Sequence, residues 1–249
     1  MSAPRLLGQN LLEAATVTTT TIASDSSAAR LYDRGRSPQA TASAAAQWDV
    51  KVDLGASPTA VTAFAIINHN CGVADLTLAY SDDDISYTTA DTFTGVSGTD
   101  IYRTISTQTR RYWRLRVPVF ASAAAIGEFF LGAEYVLTVE PAHTPNVVDT
   151  IGASILVETS IGGSAWGTRL GSSRKSYQWT WNVLSQTDWD GLVTWFGYIY
   201  EGARAFALQD VDGNAKWVRC RSGLQGSRVL KTATTSYLRV VQLAFEDAL

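Results

Sequence analysis

Between Trp48 and Val139 apolar and polar side chains alternate one for one in short runs, and this period of two constrains the fold more than any other feature of the chain. Trp48-Asp49-Val50-Lys51-Val52-Asp53 alternates and then stops at Leu54-Gly55. Leu76, Leu78 and Tyr80 alternate with Thr77 and Ala79, and Ser81-Asp82-Asp83-Asp84 supplies a turn. Tyr112 to Val117 alternates again, which points Trp113, Leu115 and Val117 inward and Arg114 and Arg116 outward. Val61 to Ile67 is instead continuously apolar, as a strand covered on both faces would be. Ile126 to Leu131 and Tyr135 to Val139 add two more strands. Strands at short intervals with turn signals between them predict a β-sandwich.

The flanks read differently. The Thr-rich run Val17 to Ile22 suits an edge strand. Ala23 to Ala46, rich in Ser, Ala, Gly and Pro, reads as a long surface connection with a turn near Gly35 to Pro38. Pro141 to Pro145 is expected to be a linker. Beyond a Gly-rich stretch, Gly152 to Gly171, the residues Tyr177, Trp179, Trp181 and Val183 fall on one face of a strand. A helix follows near 187–200, capped by Ser185 or Thr187, with Trp189, Leu192, Phe196 and Ile199 at three- and four-residue steps. Strands at Ala203 to Gln209 and Lys216 to Arg221 flank the hairpin signal Asp212-Gly213, and Tyr237 to Phe245 is the last strand. The expected fold class is mainly β. Residues 1–140 form a jelly-roll β-sandwich able to fold alone, and residues 141–249 a smaller β-rich domain with one helix.

Composition excludes several functions. Of the 249 residues 46% are hydrophobic and only 17% charged, with a formal net charge of -3, so a basic surface for nucleic acid has no support. Cys71 and Cys220 lie far apart, which argues against a disulfide framework, and with two His in the chain no zinc-ligand spacing exists. Met1 to Leu12 lacks the apolar run of a signal peptide and no stretch is long enough to span a bilayer, so a soluble chain made in a cytoplasm, without membrane contact, is expected. There is no phosphate loop, nucleophile elbow or Cys-His pair, so neither catalysis nor a cofactor nor a metal is expected.

Five groups of residues invite a functional reading. His69, between Asn68 and Asn70 and before Cys71, reads better as a histidine serving loop backbone groups than as a catalytic base, which would need an orienting carboxylate. Asp82-Asp83-Asp84 lacks the alternating calcium-loop pattern and is expected to be a hairpin turn. Arg110, Arg111, Arg114 and Arg116 beside Tyr112 and Trp113 are expected on the outer sheet face, with Arg114 and Arg116 contacting acidic side chains of a neighbouring subunit rather than single-stranded nucleic acid. Trp179, Trp181, Trp189, Trp195 and Trp217 are expected in a core before a sugar site. Ile155, Leu156, Val157 and Ile161, in a Gly-rich segment with few charges, suggest an arm or hairpin that pairs with adjacent subunits; the rival is a hairpin packed within its own domain.

The segment Trp48 to Gly132 resembles the galactose-binding jelly roll of the coagulation-factor (F5/8 type C, discoidin) class. The resemblance rests on Trp48 with Asp53-Leu54-Gly55, on Ser81-Asp82-Asp83, on Arg111-Tyr112-Trp113-Arg114-Leu115 and on Ile126-Gly127-Glu128-Phe129-Phe130-Leu131-Gly132, all in the order of that class. The cysteine pair of its secreted members is missing, and no ligand residue carries over. The whole chain is also similar to tailed-phage proteins of the distal-tail and baseplate kind, through Ile66-Ile67-Asn68-His69-Asn70, the Gly-x-x-x-x-Phe-x-Leu-x-Asp run at Gly202 to Asp210, and Trp217-Val218-Arg219. That similarity implies a virion structural protein, made in the host cytoplasm. It would form a homo-oligomeric ring that joins the tail tube to host-recognition proteins, with tube, hub and tape-measure proteins as partners. The alternative is a carbohydrate-binding adhesin whose jelly-roll loops grip host glycan.

Overall fold

The computed structural model describes residues 3–72, 75–96, 98–119, 121–139, 152–159, 165–221, 223–230 and 237–248. The expected linker Pro141 to Pro145 and Ile161 lie outside them. The fold is mainly β. In chain order the first strands are β1 (Arg5–Leu7), β2 (Thr16–Thr19), β3 (Ala40–Thr41), β4 (Trp48–Asp53), β5 (Val61–His69), β6 (Asp75–Ser81) and β7 (Thr88–Thr94). Next come β8 (Ile101–Gln108), β9 (Tyr112–Val117), β10 (Ala125–Gly132), β11 (Tyr135–Val136), β12 (Gly152–Thr159), β13 (Ala165–Arg174) and β14 (Ser176–Leu184). The helix α1 (Gln186–Tyr198) precedes β15 (Phe206–Gln209), β16 (Ala215–Cys220), β17 (Gln225–Leu230) and β18 (Tyr237–Asp247).

Two antiparallel sheets make the sandwich, one in the order β2-β4-β9-β6-β7 and the other β3-β10-β5-β8. The alternation decides which side chains meet between them. Trp48, Val50 and Val52 of β4 join Trp113, Leu115 and Val117 of β9, and across from these lie Phe64 and Ile66 of β5 and Phe129 and Leu131 of β10. The Thr-rich β2 is an edge strand, as expected from its composition.

The apolar run of β5 has a second face to cover. Ala63, Ala65 and Ile67, with Phe130 of β10 and Tyr102 of β8, pack against Leu7, Ala205, Ala207, Trp217 and Ala248. Those last residues belong to or adjoin a third sheet, β11-β1-β15-β16-β18-β14, with β17 alongside β18. Its far face carries Phe206, Leu208, Val218, Leu243, Phe245, Trp179 and Trp181, and on these lie Leu192, Trp195 and Phe196 of α1 with Ile199 just after it. The layers run sheet, sheet, sheet, helix. Strand membership crosses the boundary expected near residue 140: β1 pairs with both β11 and β15, so the third sheet draws strands from the N-terminal portion of the chain.

Two glycines mark close approaches that shape the stack. In β10 the pairing skips at Gly127, where a Cβ would lie 2.5 Å from the carbonyl oxygen of Arg36. In α1 a Cβ on Gly191 would lie 2.4 Å from the ring of Tyr135, so the helix accepts glycine's lower propensity in exchange for that packing. Ser185 caps α1, its Oγ accepting from the Asp188 backbone N–H at 3.0 Å. Val183 departs from the expected face: the pairing with β18 shifts between Trp181 and Leu184, which turns Val183 to solvent and buries Leu184.

Candidate functional site

The residues singled out by sequence fall into distinct surroundings. His69 is buried; its Nδ1 accepts from the Cys71 backbone N–H at 3.1 Å and its Nε2 donates to the Thr99 carbonyl at 2.8 Å. Both ring nitrogens thus serve loop backbone groups, and burial lowers the imidazole pKa. Burial pushes the thiol of Cys71 up to about 12. Asp83 holds the β6–β7 turn. Its Oδ1 accepts from Ser81 Oγ at 2.7 Å, Ile85 N at 2.9 Å and Ser86 N at 2.8 Å, bonds that bring its carboxyl down to about 2. Asp82 pairs with Arg110, and Asp84 with Lys51 at 3.0 Å. Among the described residues, no group of three or more His, Cys, Asp or Glu side chains gathers where it could hold a metal ion.

Arg111 and Arg116 have acidic partners within the same sheet, whereas Arg114 has an aromatic one. Arg116 forks onto Asp49 with both bonds at 2.9 Å, and Arg111 onto Asp53 at 2.7 and 2.9 Å. Arg114 lies 3.9 Å over the ring of Tyr87. Registry explains this: β4 lies beside β9 with Asp49 opposite Arg116 and Lys51 opposite Arg114. Trp179, Trp181, Trp195 and Trp217 are buried, and Trp189 packs against the helix-side core beneath Arg239. Ile155, Leu156 and Val157 lie in β12, which pairs with β13 as a two-stranded sheet of its own.

A group that sequence patterns did not bring together lines a cleft of about 670 Å³ where the sandwich meets the third sheet. Glu13 comes from the 3-10 turn Leu11–Ala14, Tyr32, Asp33 and Arg34 from the connection before β3, Tyr200 and Arg204 from the loop after α1, and Arg219 from β16. Arg34 is the keystone. Its guanidinium donates to the carbonyls of Ala205 at 2.7 Å and Gly8 at 3.0 Å, pairs with Glu13, and lies 4.6 Å over the Phe130 ring. Glu13 also receives Arg204 at 2.8 Å, and Arg204 stacks 3.7 Å over Tyr200. Tyr200 is 60% exposed. Arg34, Tyr200 and Glu201 have φ of 63°, 50° and 55°, a left-handed region that non-glycine residues rarely occupy. Beneath Arg34, its backbone N–H donates to fully buried Glu128 at 3.0 Å, and Asn10 Nδ2 donates to the same carboxyl at 3.2 Å. The one sequence cue to this cleft was Tyr32-Asp33-Arg34-Gly35-Arg36, a charged and aromatic cluster inside a Ser/Ala-rich connection.

No protein-family model matches the chain, and no curated protein does. Among solved structures, the chitosan-binding module 1 of a chitosanase/glucanase from Paenibacillus sp. IK-5 is 23% identical at a TM-score of 0.45, over 50% of this chain and 99% of the module. A Clostridium perfringens module, CpGH89CBM32-5, described in complex with GalNAc-β-1,3-galactose, is 14% identical at a TM-score of 0.43, over 51% of this chain and 99% of its own. A Ruminococcus gnavus GH29 fucosidase is 15% identical at 0.47, over 52% of this chain and 28% of the enzyme. About half of the chain thus resembles the β-sandwich of carbohydrate-binding modules, and the resemblance is one of fold.

Proposed function

We propose that the chain is a structural subunit of a tailed-phage tail tip or baseplate, one of several copies in a ring that connects the tail tube to host-recognition proteins. The observation that carries this reading is the β12–β13 ribbon. Among the described residues each of its strands pairs only with the other. A two-stranded ribbon is at best marginally stable by itself in water, and its outer edges offer unpaired backbone groups to another chain. Only Lys175 separates β13 from β14, so the ribbon prolongs a strand of the third sheet and is held by that sheet's register. Ten residues of extended chain reach on the order of 30 Å, enough to cross onto an adjacent subunit. Two of the three runs of the phage resemblance lie in the same layer, in the stretch from Gly202 through β15 and in Trp217-Val218-Arg219 of β16, whereas Ile66 to Asn70 lies in and just after β5 of the sandwich. Tube, hub and tape-measure proteins are the proposed neighbours, and strand addition is the proposed mode of contact. Deleting Ala153 to Ser164 should leave the sandwich folded and abolish incorporation into tails; particles that assemble normally around the shortened chain would refute the reading.

A second reading, a module that grips glycan, is favoured by one observation, the cleft floored by Arg34 and bordered by Tyr200.

A further inference from the structure

We propose that the cleft between the sandwich and the third sheet binds an uncharged oligosaccharide. This rests on the glycan-binding reading but moves the site away from the sandwich loops, to a place that exists only because the third sheet is present. The volume of about 670 Å³ falls in the range of small-ligand sites.

The chemistry of the walls selects the ligand class. A sugar hydroxyl donates one hydrogen bond and accepts others, so it is held best where a carboxylate and a guanidinium stand side by side. Glu13 provides this arrangement between Arg34 and Arg204, and Asp33 and Arg219 repeat the two kinds of group across the cleft. Each ionised carboxylate has about four acceptor positions and each guanidinium five N–H groups, so the internal pairs leave capacity on both. The charges also oppose one another. Glu13 and Asp33 offset two of the three arginines, and Arg219 is already paired with Glu246, so the walls carry little net charge with which to select a phosphate, a sugar acid or a cation. That balance suits a neutral polyol.

An aromatic face completes the site. Exposed Tyr200 lines the cleft with the Arg204 guanidinium over one side of its ring, and Tyr32, part-buried against the sandwich core, lines it too. Such rings accept the C–H faces of a pyranose with little loss of side-chain freedom. The loop that carries Tyr200 runs through three consecutive left-handed residues, with φ of 50° at Tyr200, 55° at Glu201 and 96° at Gly202. Conformations of this kind are costly for non-glycine residues and concentrate at ligand sites, and here they set a tyrosine in solvent rather than in a core. Arg34 is already fixed by Gly8, Ala205, Glu13 and Phe130, so the floor of the site needs no ordering on binding.

The test is titration of the full chain, by calorimetry and amide NMR, with uncharged trisaccharides of glucose, galactose, mannose and N-acetylglucosamine, and with trigalacturonate as the acidic comparison. At least one neutral trisaccharide should bind at millimolar concentration or better. Tyr200→Ala and Arg204→Ala should each weaken it by about tenfold or more, Tyr200→Phe should retain it, and Arg110→Ala on the outer sandwich face should leave it unchanged. Binding that ignores both Tyr200→Ala and Arg204→Ala would overturn the cleft while leaving the glycan reading in place. Absence of binding by every neutral trisaccharide would overturn both, and tighter binding of trigalacturonate would overturn the assignment of an uncharged ligand.

Discussion

Ionising Glu128 should unload the fold from its centre. The carboxyl is fully buried in β10, and burial, with Asp33 nearby, pushes it up to about 9 against the opposing pull of Arg34 and the N–H groups of Arg34 and Asn10. The folded chain therefore keeps a proton that the unfolded chain releases near 4.5. Stability from this group is fully present below 4.5 and is lost as pH rises through 9, at about 1.4 kcal/mol per pH unit within that window. Between pH 7 and 9 the loss amounts to about 2 kcal/mol, because the slope has halved by the folded pKa. His69 does not confuse this range: its pKa is lowered by burial from 6.5, so its contribution is complete above pH 7. Urea unfolding at pH 7, 8 and 9 should show a markedly steeper decline in the native chain than in Glu128→Gln, the small loss toward pH 9 from the buried thiols of Cys71 and Cys220 being common to both. The glutamine amide sets an N–H against one of two donors, Asn10 Nδ2 or the Arg34 backbone, a penalty of about 1–3 kcal/mol that is the same at every pH. Parallel curves for the two proteins would refute the reasoning.

Gly127→Ala should destabilise by about 2 kcal/mol or more in the same unfolding assay, because its Cβ meets the Arg36 carbonyl at 2.5 Å and that loop is tied to Glu128 through Arg34. A fragment of residues 1–140 should bind a hydrophobic dye and scatter light, since it bares Ala63, Ala65, Ile67, Tyr102 and Phe130 and leaves β1 without β15; sharp, dispersed amide signals from the fragment would show the third sheet to be dispensable.

The strands most legible in the sequence are those in which apolar alternation coincides with burial. β9 follows the pattern residue by residue, β4 does so except at Asp49, which is buried with Arg116 paired to it, and the two-faced apolar run of β5 correctly announces a strand covered on both sides. β7 gives little signal because Phe93 is its one buried residue among Thr, Ala and Asp. In β8, Tyr102 faces the third sheet while Ile105 faces the sandwich core, so the burial period breaks. β1 is three residues long, and its partners in β11 and β15 lie far along the chain, where no local pattern points to them. The outer-face arginines were legible as outward-facing, but which of them meets a carboxylate depends on strand register, which the sequence does not state. The cleft was illegible as a unit for the same reason. Its walls come from separate segments whose charges look like ordinary solvated surface until the layers close.

The continuity of β13 with β14 has a mechanical meaning. A pull on the ribbon along its length enters β14 directly through Lys175. From Ser176 to Trp181 that strand is paired in unbroken register with β18, from Glu246 to Val241. Antiparallel hydrogen bonds stand across the strand direction, so the load falls on the whole ladder at once, in shear, and not on one bond after another as in an unzipping hairpin. The aromatic packing of Trp179 against Phe245, with ring centroids 5.0 Å apart, resists the same slip. Peeling β14 from the sheet by such a pull would require the whole β14–β18 ladder to slip together.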